Sequence, residues 1–240
     1  MTIGPVHSYI DHTLLTPEAT PEQITQLCDE AIAHRFAAVC VHGIYLEQVA
    51  GIIAASIDHK PALAAVADFP LGASTPKQKA QQAASLVRIG ATEIDAVSHL
   101  PRLLAADRQA IVENLKPLID SALEANPDTL IKVIVETAAL MHDCPPDLAE
   151  RRIATACEAV HDAGAHFIKT STGFHKQGGA TLQAVQLLHK HASPLGLKVK
   201  AAGGIRTQQD ALDFIAAGAE RLGTSSGIKL IAGIEPTASY

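Results

Sequence analysis

Short apolar runs recur along this chain, and each is followed by a longer stretch whose apolar positions return with helical spacing. Eight of these runs read as strands: Ser8–Thr13, Ala37–Val41, Ala62–Ala67, Glu93–Val97, Ile131–Glu136, Phe167–Thr170, Lys198–Ala201 and Arg221–Gly223. The stretches between them read as helices over Pro21–His34, Leu46–Ile57, Pro76–Ile89, Asp107–Ala125, Pro146–Ala163 and Thr181–His191, with two more opening at Thr207 and at Ser225-Ser226. Helix starts carry their own chemistry. Thr20-Pro21 and Thr75-Pro76 set a capping hydroxyl before a proline whose missing N–H is not needed there. Thr207 and Asp210 have the spacing of a capping box. Helix stops are marked too: Ile89-Gly90-Ala91, Ala163-Gly164-Ala165 and Ala217-Gly218-Ala219 each end a helix at a glycine and feed straight into a strand.

Strict alternation of strand and helix predicts parallel pairing, because consecutive parallel strands need a crossover between them. Eight such units predict a closed (β/α)8 TIM barrel filling residues 1–240 as a single domain, with a mobile tail at 233–240. An open doubly wound sheet is the alternative. No Gly-x-Gly-x-x-Gly follows the first strand, which counts against its dinucleotide-binding form.

Composition narrows the class. The chain has 240 residues and 48% hydrophobic content, enough for one large core. Aromatics are 3% and Trp is absent, so that core must be Ala, Val, Ile and Leu. Net charge is −6 with no basic stripe, so nucleic acid is not an expected partner. No apolar stretch approaches the roughly 18 residues of a membrane span. Met1–Thr13 has neither the basic start nor the apolar centre of a signal peptide. Cys28, Cys40, Cys144 and Cys157 form no C-x-x-C pair and sit at no zinc spacing, so a cytoplasmic protein with reduced thiols and no metal is expected.

The chemistry begins at Phe167-Ile168-Lys169-Thr170-Ser171-Thr172-Gly173. A lysine inside an apolar strand must shed water, and it escapes that cost by shedding its proton. A neutral amine in a dry pocket attacks carbonyls, so Lys169 is a candidate Schiff-base nucleophile. In such a barrel the active residues stand at C-terminal strand ends. The polar residues there are Asp11, Cys40, Asp68, Asp95, Glu136, Lys169, Lys200 and Ser225-Ser226. Lys169 and Lys200, on neighbouring strands, are expected to depress each other's pKa and leave one neutral as nucleophile and one positive as acid. Asp95 can position the second lysine or pass protons through a water. Plainer readings stand beside these: a snorkelling surface group for a lone lysine, a loop cap for Asp95, an ion-pair partner of Glu136 or Asp11 for Lys132, a small buried hydrophobe for Cys40. Ala202-Gly203-Gly204-Ile205-Arg206-Thr207 and Gly223-Thr224-Ser225-Ser226-Gly227 follow the last two strands, where this fold commonly binds phosphate.

Ile10-Asp11-His12-Thr13-Leu14-Leu15, Glu93-Ile94-Asp95, Lys132-Val133-Ile134-Val135-Glu136-Thr137, the Lys169 segment and Lys200-Ala201-Ala202-Gly203-Gly204-Ile205-Arg206-Thr207, in this order over nearly the whole chain, resemble deoxyribose-phosphate aldolases. The resemblance implies a metal-free class I aldolase without a cofactor. It implies reversible cleavage of 2-deoxy-D-ribose 5-phosphate to D-glyceraldehyde 3-phosphate and acetaldehyde. By motif, Lys169 would form the Schiff base, Lys200 would perturb it, and Asp95 would relay protons. Gly173, Gly203, Gly204, Ser225 and Ser226 would hold the phosphate, and Asp11, Cys40, Lys132 and Thr170 are further candidates for substrate contact. Tyr240 would assist proton transfer from the tail, and a homodimer is expected. Two departures stand out: Ala96-Val97-Ser98-His99-Leu100-Pro101 after Asp95, and Phe174 where some members carry a lysine. Two rival readings remain at this point, a Schiff-base aldolase for another phosphorylated sugar and a non-catalytic phosphosugar-binding barrel.

Overall fold

The computed structural model describes residues 4–232. Its strands are β1 (Ile10–Leu14), β2 (Ala38–Val41), β3 (Ala62–Ala67), β4 (Glu93–Val97), β5 (Leu130–Ile134), β6 (Phe167–Lys169), β7 (Lys198–Ala202) and β8 (Arg221–Thr224). They pair in chain order, every pair parallel, and β8 closes on β1. The helices are α1 (Pro21–Ala33), α2 (Leu46–Ala55), α3 (Pro76–Ile89), α4 (Leu100–Leu104), α5 (Arg108–Ala125), α6 (Thr137–Met141), α7 (Pro146–Asp162), α8 (Leu182–Ala192), α9 (Gln208–Ala216) and α10 (Gly227–Ala232). The fold is a (β/α)8 TIM barrel, as the alternation predicts.

The caps behave as their chemistry dictates. Thr20, Thr75 and Thr207 each complete a capping box, with Gln23, Gln78 and Asp210 as the reciprocal partners. Gly90, Gly164 and Gly218 all adopt positive φ at the helix-to-strand turns. Some element ends differ from expectation, and two short helices are added. Val6–Tyr9 forms a 3-10 turn, so β1 starts at Ile10 and not at Ser8. Strand β5 stops at Ile134 because Glu136 turns into the left-handed region at φ 55°. Helices α4 and α6 are one-turn elements, too short to leave a periodic pattern in sequence.

The strand alternation sorts side chains between two cores. Val39, Leu63, Ala65, Ile94, Ile131, Val133, Ile168, Val199 and Leu222 face outward and are sealed by the helices. Inside the barrel, Leu15, Ala38, Cys40, Ala64 and Val66 form a small separate cluster along β2 and β3. The opposite half of the interior holds charged side chains. Small residues facing them leave room for long lysine stems: a Cβ on Gly223 would stand 3.1 Å from Lys200 Cε.

Candidate active site

Strand register brings the basic residues together. Lys132 lies beside Asp95, Lys169 pairs with Lys200, and Lys200 pairs with Arg221. Their side chains and three carboxylates build one connected cluster in the barrel. Arg221 and Glu93, at the starts of their strands, form its base, with Arg221 Nη2 donating to Glu93 Oε1 at 2.8 Å. Lys132 contacts Glu93 and donates to Asp95 Oδ1 at 3.0 Å. Lys200 donates to Asp11 and to Asp95 Oδ2, the latter at 2.8 Å. Lys169 Nζ, at the end of β6, donates to the same Asp95 Oδ2 at 2.6 Å.

Lys132, Lys200 and Arg221 match Asp11, Glu93 and Asp95 one for one, so a protonated Lys169 is the surplus charge. Each pKa follows from that imbalance. Burial pushes Lys169 below the ordinary ammonium value, against the pull of Asp95 and with the help of the Lys200 cation. Burial opposes the charge on Lys200 as well, yet Asp11 and Asp95 outweigh it and hold Lys200 above the ordinary value. Lys132 is raised in the same way: burial is outweighed by Asp95, Asp11 and Glu93. For Asp95, burial is overcome by Lys132, Lys169 and Lys200, and the carboxyl stays well below its usual range. The expected mutual depression of the two lysines is therefore one-sided. Carboxylates hold Lys200 as the cation, and Lys169 is the lysine whose charge its surroundings disfavour.

Above this cluster a cavity of about 350 Å³ opens at the C-terminal ends of β6, β7, β8 and β1. Lys169 lies on its surface together with Gly173, Gly203, Gly204, Ser225 and Ser226, the residues expected at the phosphate. The β7 loop can lie this low only because its residues lack side chains. Gly203 adopts φ +87°, and a Cβ on it would fall 2.9 Å from Gly179 Cα. The Ser226 N–H is taken by Thr224 Oγ1 at 2.9 Å, so its hydroxyl is the donor left for a ligand.

Lys200 and Asp95 are fully buried beneath Lys169 and reach the cavity through it. Four further candidates for substrate contact do not line the cavity. Asp11, Cys40 and Lys132 are fully buried under the cavity floor and do not line it. Cys40 packs with Ala38 and Ala64, and burial pushes its thiol up to about 11. Thr170 bridges β6 to β7, donating to the Ala202 carbonyl at 3.1 Å and accepting from its N–H at 3.0 Å. Lys132 pairs with Glu93 and Asp95, with Asp11 farther off at 3.7 Å, and not with Glu136. Glu136 instead reaches across to accept the Thr172 N–H. Asp68 lies outside the barrel and binds Lys79 at 3.1 Å. Tyr240 and the tail at 233–240 lie outside the described residues.

Three residues escaped the sequence reading. Glu93 and Arg221 each sit at a strand start, where nothing local marks an inward charge. Arg206 lines the cavity. It lies within the Gly203-Gly204-Ile205-Arg206-Thr207 run after β7, two residues beyond the paired glycines. Among the described residues no group of three or more His, Cys, Asp or Glu is placed to hold a metal ion. The four cysteines are free. No described helix is long and apolar enough to cross a membrane.

A family model described as DeoC/LacD family aldolase matches residues 6–232. The chain is 44% identical over 222 residues to the deoxyribose-phosphate aldolase of Clostridium kluyveri, covering 92% of this chain and 94% of that one. It is 41% identical over 234 residues to the enzyme of the same name from Brevibacillus brevis, covering 98% of each. Among solved structures it resembles the tetrameric deoxyribose phosphate aldolase of Aeropyrum pernix, with TM-score 0.83, 32% identity, and coverage of 95% of this chain and 89% of that one.

Proposed function

This chain belongs to the DeoC/LacD family of aldolases, and from that premise we propose that Lys169 is the Schiff-base nucleophile of a reversible cleavage of 2-deoxy-D-ribose 5-phosphate. The products are D-glyceraldehyde 3-phosphate and acetaldehyde. One observation carries the assignment: of the basic side chains in the buried cluster, Lys169 alone both lines the cavity and has a pKa lowered by its surroundings.

The chemistry follows from that amine. Neutral Lys169 Nζ attacks C1 of the open-chain aldehyde, and the carbinolamine loses water to give an iminium. The C3 hydroxyl then gives up its proton, the C2–C3 bond breaks, and its electron pair moves toward the iminium nitrogen to form an enamine. D-Glyceraldehyde 3-phosphate leaves. The enamine takes a proton at carbon, and water hydrolyses the imine to acetaldehyde and the free amine. The iminium is itself the electron sink, so the reaction needs no metal. Asp95 touches the reacting nitrogen and is suited to accept and return its protons, while Lys200 keeps Asp95 ionised. Gly173, Gly203, Gly204, Ser225, Ser226 and Arg206 surround the space where the phosphate would lie. A grip there fixes C1 against Lys169 from a distance and converts binding into orientation.

We further take residues 1–240 as one working domain that acts on small phosphorylated sugars and aldehydes as a homodimer in the cytoplasm. Borohydride reduction in the presence of acetaldehyde is the test of the site. It should add an ethyl group to Lys169 in a peptide map; a label on any other lysine, or none, overturns the assignment.

A further inference from the structure

The charged groups beneath the cavity close into a ring in which cations and anions alternate. Arg221 Nη1 donates to Asp11 Oδ1, and Asp11 Oδ2 accepts from Lys200. Lys200 donates also to Asp95 Oδ2 at 2.8 Å, and Asp95 Oδ1 accepts from Lys132 at 3.0 Å. Lys132 donates to Glu93 Oε2, and Glu93 Oε1 accepts from Arg221 Nη2 at 2.8 Å, which returns the path to its start. Lys169 stands outside this ring and touches it at one atom, donating to Asp95 Oδ2 at 2.6 Å.

A ring of this kind couples its far side to its near side. Lys200 divides its ammonium between Asp11 and Asp95, and Lys132 divides its own between Glu93 and Asp95. Arg221 supplies the second cation of both Asp11 and Glu93. Without it, those two buried carboxylates would draw Lys200 and Lys132 toward the base of the barrel, because a buried charge short of a partner is costly. Asp95 would then take its counter-charge from Lys169 and favour that lysine protonated. Arginine suits the closing position. Arg221 is the most exposed member, at 16% of its side chain, where Glu93 shows 5% and the other four none. A guanidinium keeps its charge at any working pH, and its fork reaches two carboxylates at once.

We propose that Arg221 is a positioning residue for the nucleophile: by holding Asp11 and Glu93 at the base of the barrel it keeps Lys200 and Lys132 on Asp95, with Glu93 as its counterweight in the same ring. The inference rests on the reading of Lys169 given above. Asp95 from β4, Lys200 from β7 and Cys40 from β2 stand around Lys169, and Cys40 carries no charge at acid pH because burial pushes its thiol up to about 11. Lys132 from β5 and Asp11 from β1 follow one contact further, and Arg206 shares the cavity from the loop after β7. Glu93 lies two residues before Asp95, roughly 7 Å along the strand. A unit charge at roughly 10 Å in a protein interior moves a pKa by about one unit.

The test measures how fast acetaldehyde and cyanoborohydride ethylate Lys169 in the intact enzyme as pH is varied, with peptide mapping to locate the label. Imine formation needs the free amine, so the acid limb reports the Lys169 proton, and no substrate phosphate titrates in this assay. Arg221→Gln should move the limb up by about one pH unit, a roughly tenfold slower label at a fixed pH on the limb. Glu93→Gln should move it down by about as much. The double variant, with charge balance restored, should bring it back toward wild type. Limbs that stay in place, move together or move in the reverse sense overturn the proposal. A pair that only braced the barrel would give that first result, with lower unfolding midpoints and an unmoved limb. If Arg221→Gln does not fold, Glu93→Gln decides alone: a lowered limb supports the ring's role, and an unmoved or raised one overturns it. The wild-type enzyme separates the two readings. No label on its Lys169 defeats the assignment of the nucleophile, and a label there with unmoved limbs in the variants defeats the role of Arg221 alone.

Discussion

Removing the Lys200 ammonium would leave Asp11 and Asp95 together in the barrel interior without the cation they share. Breaking a buried pair from one side costs about 3–5 kcal/mol, since the remaining charge has lost both water and partner. Lys200→Met should therefore lower stability by that amount in urea unfolding, and it should cut kcat by at least about a hundredfold. The second effect arises because Lys169 would lose the neighbour that helps depress its pKa and would hold its proton against Asp95. Near-normal turnover would remove Lys200 from the mechanism. The sign for Lys169 is equally definite. Its pKa lies below the ordinary 10.5, so the nucleophilic amine is populated at a lower pH than a free lysine would allow. The acid limb of kcat/KM should report that titration, and Lys200→Met should move the limb to higher pH. Lys169, Lys200 and Asp95 were legible in sequence because each sits in a short apolar run where a charge is anomalous. Glu93 and Arg221 were not, because their meaning is their contact, across 128 positions of chain.

Helices and loops read well wherever a local hydrogen bond sets them. The Thr-Pro starts became capping boxes at Thr20 and Thr75 because the hydroxyl and its N3 partner are only three residues apart. Thr75→Ala should cost about 1 kcal/mol of stability and leave turnover unchanged, as measured by thermal unfolding beside an activity assay. The loop after β7 carries a harder constraint. Gly203 has a left-handed φ, and its backbone approaches that of Gly179, which has no side chain to withdraw. Gly203→Ala should raise KM for 2-deoxyribose 5-phosphate by at least about tenfold while the borohydride label still reaches Lys169. An unchanged KM would place the phosphate elsewhere. Strand ends were read less well. The 3-10 turn before β1 and the left-handed Glu136 after β5 answer to what lies beyond them in space, Glu136 being turned so that its carboxylate can hold the Thr172 N–H.

For the molecule as a whole, the buried cluster sets the response to pH. Asp11 and Asp95 have pKa values below the ordinary 3.8 because of their cations. Their contribution is present above the unfolded value and is lost as pH falls beneath it. Lys132 and Lys200 are raised above 10.5, so their contribution holds below that value and is lost as pH climbs past it. Lys169 acts the other way. Below 10.5 the unfolded chain takes up a proton that the folded site resists, which lowers stability until the folded pKa is reached. Denaturant midpoints should drop at the carboxyl range and past the ammonium range, and between them should hold level or rise with pH toward 10.5 as Lys169 dictates. A midpoint falling steadily from neutral pH toward pH 9 would contradict the cluster as described.

By itself, the sequence determined the repeating strand and helix, the capped starts, the glycine stops, the lysine at the end of β6 and the glycine loops. All of these depend on interactions a few residues long, or on an apolar pattern that any local stretch displays. Only the closed barrel decided which lysine has its pKa lowered and which has it raised. That outcome depends on how many carboxylates stand around each amine, and Asp11, Glu93 and Asp95 reach Lys200 and Lys132 from distant parts of the chain. Coulomb interactions and desolvation act through space, so residues of identical local appearance have their pKa values pushed in opposite directions once β8 closes on β1.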